Sequence, residues 1–277
     1  MADKFDEILA SFPKPKLLKV GGQKTAYLID HPEFGLTALK LGFYDSAKTK
    51  ARINREVELL QATDSDYFPK VFQFEELPDN RFVIFEEYIE GEPLASCMHR
   101  FYDPKSALAL IRNLVFGMKL MWGNRIVHRD LKPDNVIIRP DGRPVIIDLG
   151  VARMLDKEGL TGDSGAPFTA SYASLEQLRY SPTENEIRTD QFPLGIMLLQ
   201  LLLKGVHPFH PDVVGGDGIA PNIIQGNWHR TSLNTPPHDI LGYLVSRLLG
   251  RHPYERFRTV DELLLEIDHC MEGLNVV

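Results

Sequence analysis

The alternation of apolar and polar positions predicts a small sheet in the first third of the chain. From Leu17 to Leu41, β-branched and aromatic residues surround a Gly21-Gly22 break, which predicts a strand, a turn, a second strand and a third. Two more strand-like runs, Val71–Phe74 and Arg81–Tyr88, complete an antiparallel sheet. Between them, residues 46–61 carry apolar positions at helical spacing among charged ones, which predicts one amphipathic helix lying on the sheet.

Beyond about Gly91 the pattern becomes largely helical. Asp103 followed by Pro104 is typical of an N-cap and a first helical position, and the helix that they open is predicted to end near Gly123. The most apolar run, Phe192–Leu203, is shorter than the ~20 residues that span a bilayer. We interpret it as a buried core helix.

These elements predict an α+β fold with a boundary near residue 91. Residues 1–16 are expected to be a polar leader and residues 271–277 a tail. The domain between them, residues 17–270, divides into a sheet-bearing lobe of about 17–90 and a larger helical lobe of about 91–270.

Composition and charge narrow the function classes. The chain has 277 residues, 43% of them hydrophobic and 25% charged, as in ordinary globular proteins. Its net charge of -7 argues against a general nucleic-acid binder. Cys97 and Cys270 are far apart in sequence, so they give neither a disulfide framework nor metal-ligand spacing. The acidic N-terminus does not resemble a secretory signal, so we expect a cytoplasmic protein without membrane contact.

The residues that carry chemistry lie in two runs, His128-Arg129-Asp130-Leu131-Lys132-Pro133-Asp134-Asn135 and Asp148-Leu149-Gly150. They resemble the HRDLxxxN and DFG signatures of protein kinases, with Leu149 in place of Phe. The resemblance covers about residues 17–270 and implies a bilobal kinase fold with a small antiparallel sheet and one main helix in its first lobe. It also implies ATP as the phosphate donor, with Mg²⁺, or Mn²⁺ in its place, as the metal.

The resemblance assigns a role to each residue of these runs. Asp130 is expected to be the catalytic base and Lys132 to offset charge on the transferred phosphoryl group. Asn135 and Asp148 are expected to bind the metal, since carboxylate and amide oxygens suit Mg²⁺. Thr169 is expected to bridge Asp130 and Lys132, as in Ser/Thr kinases.

Further positions match the first lobe of a kinase. Thr37-Ala38-Leu39-Lys40 resembles the VAIK strand, so Lys40 is expected to anchor the ATP phosphates. Glu56 lies where the family has its ion-pair helix residue, and it is preferred to Glu58 because of the faces that it gives the helix.

The phosphate-covering loop departs from the family pattern. Val20, Gly21 and Gly22 are expected to contact ATP, but Lys19 and Lys24 stand at two positions where the family has glycine. The lysines are expected to compensate by charge.

The segment that would contact adenine also contains an unusual residue. Backbone groups of Glu87 and Ile89 are expected to face the base. Glu86 then falls at a position that is commonly apolar in the family. We expect either a basic partner for Glu86 or a strand register shifted by one.

The segment after Asp148 resembles a kinase activation segment. It ends at Ser174-Leu175-Glu176, and Glu176 is expected to pair with Arg256 as a structural ion pair. The residues Asp190–Gly195 resemble the start of the family's central buried helix. Because Arg129 precedes the catalytic aspartate, we hypothesise that phosphate on Thr161 or Ser164 orders the segment.

Three function classes follow from these residues. The favoured one is a Hanks-type Ser/Thr protein kinase, most similar to bacterial members, that acts on protein substrates and self-associates for autophosphorylation. The alternatives are a pseudokinase scaffold, because of the glycine-poor loop, and a small-molecule kinase of the aminoglycoside type. Lys132, Ser174-Leu175-Glu176 and Arg256 favour protein substrates over small molecules.

Overall fold

The computed structural model describes residues 4–21, 24–62, 65–148, 153–154, 169–181, 186–230, 233–234 and 238–276. The chain divides at the junction of Glu90 and Gly91 into two compact units. Unit 1 comprises residues 1–90 and unit 2 residues 91–277.

Unit 1 contains an antiparallel five-stranded sheet with the order β1-β2-β3-β5-β4. Its strands are β1 Lys16–Val20, β2 Lys24–His31, β3 Gly35–Phe43, β4 Val71–Leu77 and β5 Arg81–Glu87. Three-residue connections join β2 to β3 and β4 to β5, whereas α2 and β4 lie between β3 and β5 in sequence. The predicted antiparallel sheet is confirmed.

One face of the sheet is covered by the predicted helix, α2 Ala47–Gln61. Ser46 caps this helix by accepting a hydrogen bond from the backbone N–H of Thr49 at 3.1 Å. Tyr44, two side chains of α2 and two even-numbered positions of β5 form one core cluster: Tyr44, Ile53, Val57, Phe82 and Ile84. Alternation along β5 therefore places its even positions toward α2.

The opposite face carries a second cluster and a helix that the sequence analysis did not predict. The cluster consists of Ile29, Leu39, Leu41, Val83 and Phe85. Helix α1, Lys4–Ala10, packs against it through Phe5, Ile8 and Leu9, and Phe12 follows. The segment expected to be a leader is thus part of unit 1, and its apolar residues, at spacings of three and four, lie on the helix face that packs on the sheet.

Unit 2 is mostly helical, as predicted, and its longest helix has the predicted N-cap. The carboxylate of Asp103 accepts the backbone N–H groups of Lys105 and Ser106 at 3.1 and 2.9 Å, at the start of α4 Pro104–Gly123. Among the described residues, its other α-helices are α3 Leu94–Cys97, α5 Leu175–Leu178, α6 Gln191–Leu202, α7 Pro211–Val214, α8 Ile219–Gln225, α9 Gly242–Leu248 and α10 Val260–Val276.

Helix α6 forms the centre of this unit. All of its residues are buried, which is typical of a helix that is apolar all round. A Cβ at Gly195 would lie 2.8 Å from the Cβ of Leu248, so α6 and α9 approach each other at a distance that only glycine allows. Cys97 and Cys270 are buried free thiols.

The described part of unit 2 also contains three short strand pairings. Strand β6 Glu92–Pro93 pairs with β8 Val136–Ile138, which pairs with β9 Pro144–Ile146, and β7 Ile126–Val127 pairs with β10 Arg153–Met154. Gly91 has φ +154°, and a Cβ there would lie 2.3 Å from the carbonyl oxygen of Ile138. Only glycine fits where the chain passes this strand.

The last residues also differ from the prediction. The expected tail from residue 271 continues α10 as far as Val276, and Leu274 is buried. Among the described helices, none combines the length and apolar character needed to cross a membrane.

Candidate active site

Asp190 fixes the start of the loop that holds the predicted catalytic residues. Its carboxylate accepts the backbone N–H groups of His128 and Arg129 at 2.8 and 2.9 Å and the indole N–H of Trp122 at 3.0 Å. Burial raises the pKa of Asp190, while the nearby His128 and these hydrogen bonds oppose that rise. Arg129 has φ +70°, a backbone conformation that non-glycine residues rarely adopt and that is typical of functional sites.

The carboxylate of Asp130 contacts three other residues of the candidate site. It lies 2.8 Å from the Lys132 ammonium, and it accepts the backbone N–H of Thr169 at 2.8 Å and the Nδ2 amide of Asn135 at 3.2 Å. Lys132 also donates to the Thr169 hydroxyl. The structure thus places Thr169 in contact with both Asp130 and Lys132.

The two predicted metal ligands follow on neighbouring backbone segments. The Nδ2 of Asn135 donates to the carbonyl oxygen of Asp130 at 2.9 Å, and the N–H of Ile147 donates to the carbonyl oxygen of Asn135 at 2.9 Å. Ile147 leads directly to Asp148, which has φ +66°. A side-chain amide oxygen and a carboxylate are the ligand types that Mg²⁺ takes, so the donor set fits the metal.

Gln177 is a positioning residue that the sequence analysis missed. Its Nε2 donates to the carbonyl oxygen of Arg129 at 2.7 Å, and its Oε1 accepts the N–H of Ser174 at 3.1 Å. A serine followed three residues later by glutamine is the signal of a capping box, and it could have identified this residue. Helix α5 is thereby attached to the catalytic loop.

The expected ion pair between Glu176 and Arg256 is present and buried. Arg256 NH1 and NH2 donate to the two carboxylate oxygens at 2.6 and 3.0 Å, and neither side chain is more than 1% exposed. Arg256 also donates to the carbonyl oxygens of Gly250 and Arg188 at 2.9 and 3.0 Å. The bidentate geometry and these additional bonds satisfy most of the guanidinium donors.

His207 lies beneath the end of the segment that resembles an activation segment. Its Nε2 lies 2.9 Å from the carbonyl oxygen of Ser171, and its Nδ1 accepts the N–H of Phe209 at 3.3 Å. Burial lowers the pKa of His207 to about 4. The neutral tautomer with a proton on Nε2 satisfies both contacts.

In unit 1 the charged residues pair differently from the family pattern. Lys40 makes its ion pair with Glu86, at 2.6 Å, and Glu56 makes its pair with Lys24, at 3.3 Å. Glu86 therefore has the basic partner that the sequence analysis considered for it, while the β3–β5 register runs without interruption. The resemblance implied an ion pair between Lys40 and Glu56, and the structure corrects this: Lys40 pairs with Glu86 because both lie on adjacent strands of one sheet face.

The other described residues of unit 1 that were predicted to contact the nucleotide lie at a turn and near the end of β5. Val20 is exposed, and the N–H of Gly21 donates to the carbonyl oxygen of Lys24 at 2.9 Å, which closes a turn. The N–H of Glu87 donates to the carbonyl oxygen of Lys70 at 2.8 Å, and Ile89 is buried. The predicted residues Gly22, Leu149, Gly150, Thr161 and Ser164 lie outside the described residues.

Comparison with known proteins gives one family. The model of the protein kinase domain matches residues 27–264. Serine/threonine-protein kinase PknA of Nostoc is 29% identical over 223 residues, which are 77% of this chain and 37% of the relative. PknD of Mycobacterium tuberculosis is 24% identical over 96% of the chain, and PrkC of Bacillus subtilis 25% over 91%.

The chain spans about two fifths of the length of these curated relatives, 37% of PknA, 41% of PknD and 39% of PrkC. The resemblance to bacterial Hanks-type kinases is confirmed, and so is the α+β fold class. Since the family model matches most of the chain, the chain belongs to the protein kinase domain family.

Proposed function

We propose that the protein transfers the γ-phosphate of ATP to serine or threonine hydroxyls of protein substrates. The observation that carries the proposal is the Asp130 carboxylate, held by Lys132, Asn135 and the Thr169 N–H. A carboxylate oriented by three donors can accept a proton from a substrate hydroxyl with little rearrangement. The named activity of the relatives supports the same reaction.

The other residues act on the transferred group and its metal. Lys132 offsets the charge that develops on the phosphoryl oxygens, and Lys40 binds the ATP phosphates. Asn135 and Asp148 hold Mg²⁺, or Mn²⁺ in its place, and the metal neutralises phosphate charge when bound. Val20, Gly21 and Gly22 contact the nucleotide, and backbone groups of Glu87 and Ile89 face its adenine base.

Protein substrates are favoured over small molecules by the contacts of α5. Gln177 holds the catalytic loop, and the Glu176–Arg256 pair anchors the same short helix. The segment that ends in α5 also provides Thr169, so it supports the catalytic aspartate directly. The protein acts in the cytoplasm, and autophosphorylation proceeds by self-association of two copies.

The test is a transfer assay with labelled ATP, Mg²⁺ and a general protein substrate, followed by analysis of the phosphorylated amino acids. We expect phosphoserine and phosphothreonine, and we expect Asp130→Asn to reduce kcat by about 10²–10⁴-fold while the circular dichroism spectrum stays unchanged. Labelling of sugars or aminoglycosides alone would indicate a small-molecule kinase. Mg-ATP binding without transfer would indicate a scaffold.

A further inference from the structure

Three charged side chains of unit 1 share one face of the sheet. Lys40 on β3 lies opposite Ala26 on β2 and opposite Ile84 on β5. Residues two positions away along a strand point to the same face, so Lys24 and Glu86 lie on the face of Lys40. Diagonal neighbours at this spacing are within reach of long side chains.

Helix α2 adds the fourth charge to this face. Ile84 belongs to the core cluster that contains Ile53 and Val57 of α2, so the helix lies on the same side of the sheet as Lys40. Glu56 precedes Val57 directly, and only 3% of its side chain is exposed. Both of its oxygens lie near the Lys24 ammonium, at 3.3 and 3.4 Å.

The burial of these groups determines which pairing the protein can accept. Glu86 is 6% exposed and is paired with Lys40 at 2.6 Å. Burial raises the pKa of Glu86, and the charge of Lys40 opposes that rise. If Lys40 moved to Glu56, the buried Glu86 carboxylate would lose the nearest of the cations that act on it, which is costly because a buried charge needs a close partner.

We propose that Glu86 replaces Glu56 as the residue that positions Lys40, and that Lys24 replaces Lys40 as the residue that holds Glu56 and its helix. This proposal deepens the proposed function and rests on it in one respect, the contact of Lys40 with ATP phosphates. Glu86 and Lys24 are positioning residues, since each acts through the partner that it binds.

The proposal separates two tasks that one ion pair would otherwise combine. The Lys24–Glu56 pair connects β2 to α2, and the Lys40–Glu86 pair connects two neighbouring strands, β3 and β5. Loss of Lys24 should therefore disturb α2 and leave Lys40 in place. Loss of Glu86 should disturb Lys40 and leave α2 in place.

The first test uses double-mutant cycles built from four substitutions, Lys24→Met, Lys40→Met, Glu56→Gln and Glu86→Gln, with urea unfolding as the readout. The proposed pairs, Lys24 with Glu56 and Lys40 with Glu86, should depart from additivity by about tenfold in the unfolding equilibrium constant. The recombined pairs, Lys40 with Glu56 and Lys24 with Glu86, are matched controls and should depart from additivity by a clearly smaller factor, although Lys24 also acts on Glu86. Strong coupling of Lys40 with Glu56 and additivity of Lys40 with Glu86 would overturn the proposal.

Charge exchange keeps the test decisive if a single variant fails to fold. The double variant Lys24→Glu/Glu56→Lys restores an ion pair with the charges exchanged. Its thermal unfolding midpoint should therefore lie within a few degrees of the wild-type midpoint. The double variant Lys24→Glu/Glu86→Lys has the same net charge but places like charges together, so its midpoint should be clearly lower. Equal midpoints for the two variants would contradict the proposed pairing.

The second test measures how each substitution changes the KM for ATP. Glu86→Gln should raise the KM for ATP by about tenfold with a smaller change in kcat, and it should have no further effect in a Lys40→Met background. Glu56→Gln should raise this KM less. A larger rise for Glu56→Gln, abolished by Lys40→Met, would refute the assignment. Calorimetric binding of Mg-ATP gives the same comparison if the protein transfers no phosphate, so failure of the proposed function and failure of this inference are distinguishable.

Discussion

At the scale of single residues, the catalytic loop is held by backbone and side-chain donors that converge on two carboxylates. Asp190 accepts the backbone of residues 128 and 129, and Asp130 accepts the N–H of Thr169. The first carboxylate is buried and holds the backbone of the loop, while the second is 13% exposed and belongs to the residue that we propose as the base. Burial thus distinguishes the positioning aspartate from the proposed base.

Thr169 provides a prediction at this scale. Thr169→Val keeps the backbone N–H that Asp130 accepts but removes the hydroxyl that Lys132 contacts. Because one charge-assisted contact is lost, we expect kcat to fall by about tenfold with an unchanged KM for ATP. Steady-state kinetics measures both constants. Thr169→Ser keeps the hydroxyl and should stay near wild type; an equal loss in both variants would contradict the role of the hydroxyl.

His207 provides a prediction about pH. Its pKa is about 4 in the folded protein and about 6.5 when unfolded, so the unfolded chain binds a proton first as the pH falls. The neutral His207 therefore contributes stability that is complete above about pH 6.5 and is lost as the pH falls toward about 4. The loss should be about 2 kcal/mol at about pH 5.

Urea unfolding near neutral pH and near pH 5 measures this loss. His207→Gln can still donate to the Ser171 carbonyl but cannot titrate, so its free energy of unfolding should change less between the two conditions. A parallel change in wild type and variant would show that other groups cause the pH dependence.

At the scale of elements, buried polar pairs attach short helices that have few contacts of their own. Helix α5 has four residues, and the Glu176–Arg256 pair joins it to the segment before α10. Arg256→Met should lower the free energy of unfolding by about 3–5 kcal/mol, because Glu176 would be left buried and unpaired. Urea unfolding measures this difference.

The double variant Arg256→Met/Glu176→Leu is the control for that explanation. It removes both charges, so it should recover much of the lost stability. The recovery should be incomplete, since Arg256 also donates to the carbonyl oxygens of Gly250 and Arg188. A double variant less stable than Arg256→Met alone would show that the unpaired carboxylate is not the cause.

Helix α1 gives a second prediction for an element. The Phe12 ring lies 5.7 Å from His31 and 6.1 Å from Phe85, on the sheet face that α1 covers. Phe12→Ala should lower the free energy of unfolding by about 1–2 kcal/mol, since the side chain is half-buried. Leu17→Ala, at a position that is 52% exposed, is the control and should change stability little. Thermal and urea unfolding compare the two variants.

The elements also show what the sequence could predict. Helix α4 was predictable because Asp103-Pro104 is a local capping signal, and β3 and β5 because their apolar runs are long. Helix α1 was not, because seven residues give too little periodicity and its stability depends on a sheet face formed by distant strands. The partners of Lys40 and Glu56 depend on side-chain reach across three strands and a helix, which residue order does not specify.

At the scale of the whole molecule, the residues proposed to act in catalysis and in ATP binding are divided between the two units. Unit 2 contains Asp130, Asn135 and Asp148 in one hydrogen-bonded region, whereas unit 1 contains Lys40. The residues of unit 2 lie in two short runs of sequence, so they could be identified from sequence alone. The charges of unit 1 come from separate elements, so residue order does not specify which of them pair.

The covering of the sheet by residues 4–12 affects how recombinant forms should be designed. The family match begins at residue 27, inside β2, so a protein trimmed to that match would lack α1, β1 and Lys24. Its sheet would have an uncovered aromatic face and a new open edge, both of which favour aggregation. Poor solubility of such a trimmed protein would then report on the missing segment and not on the catalytic residues.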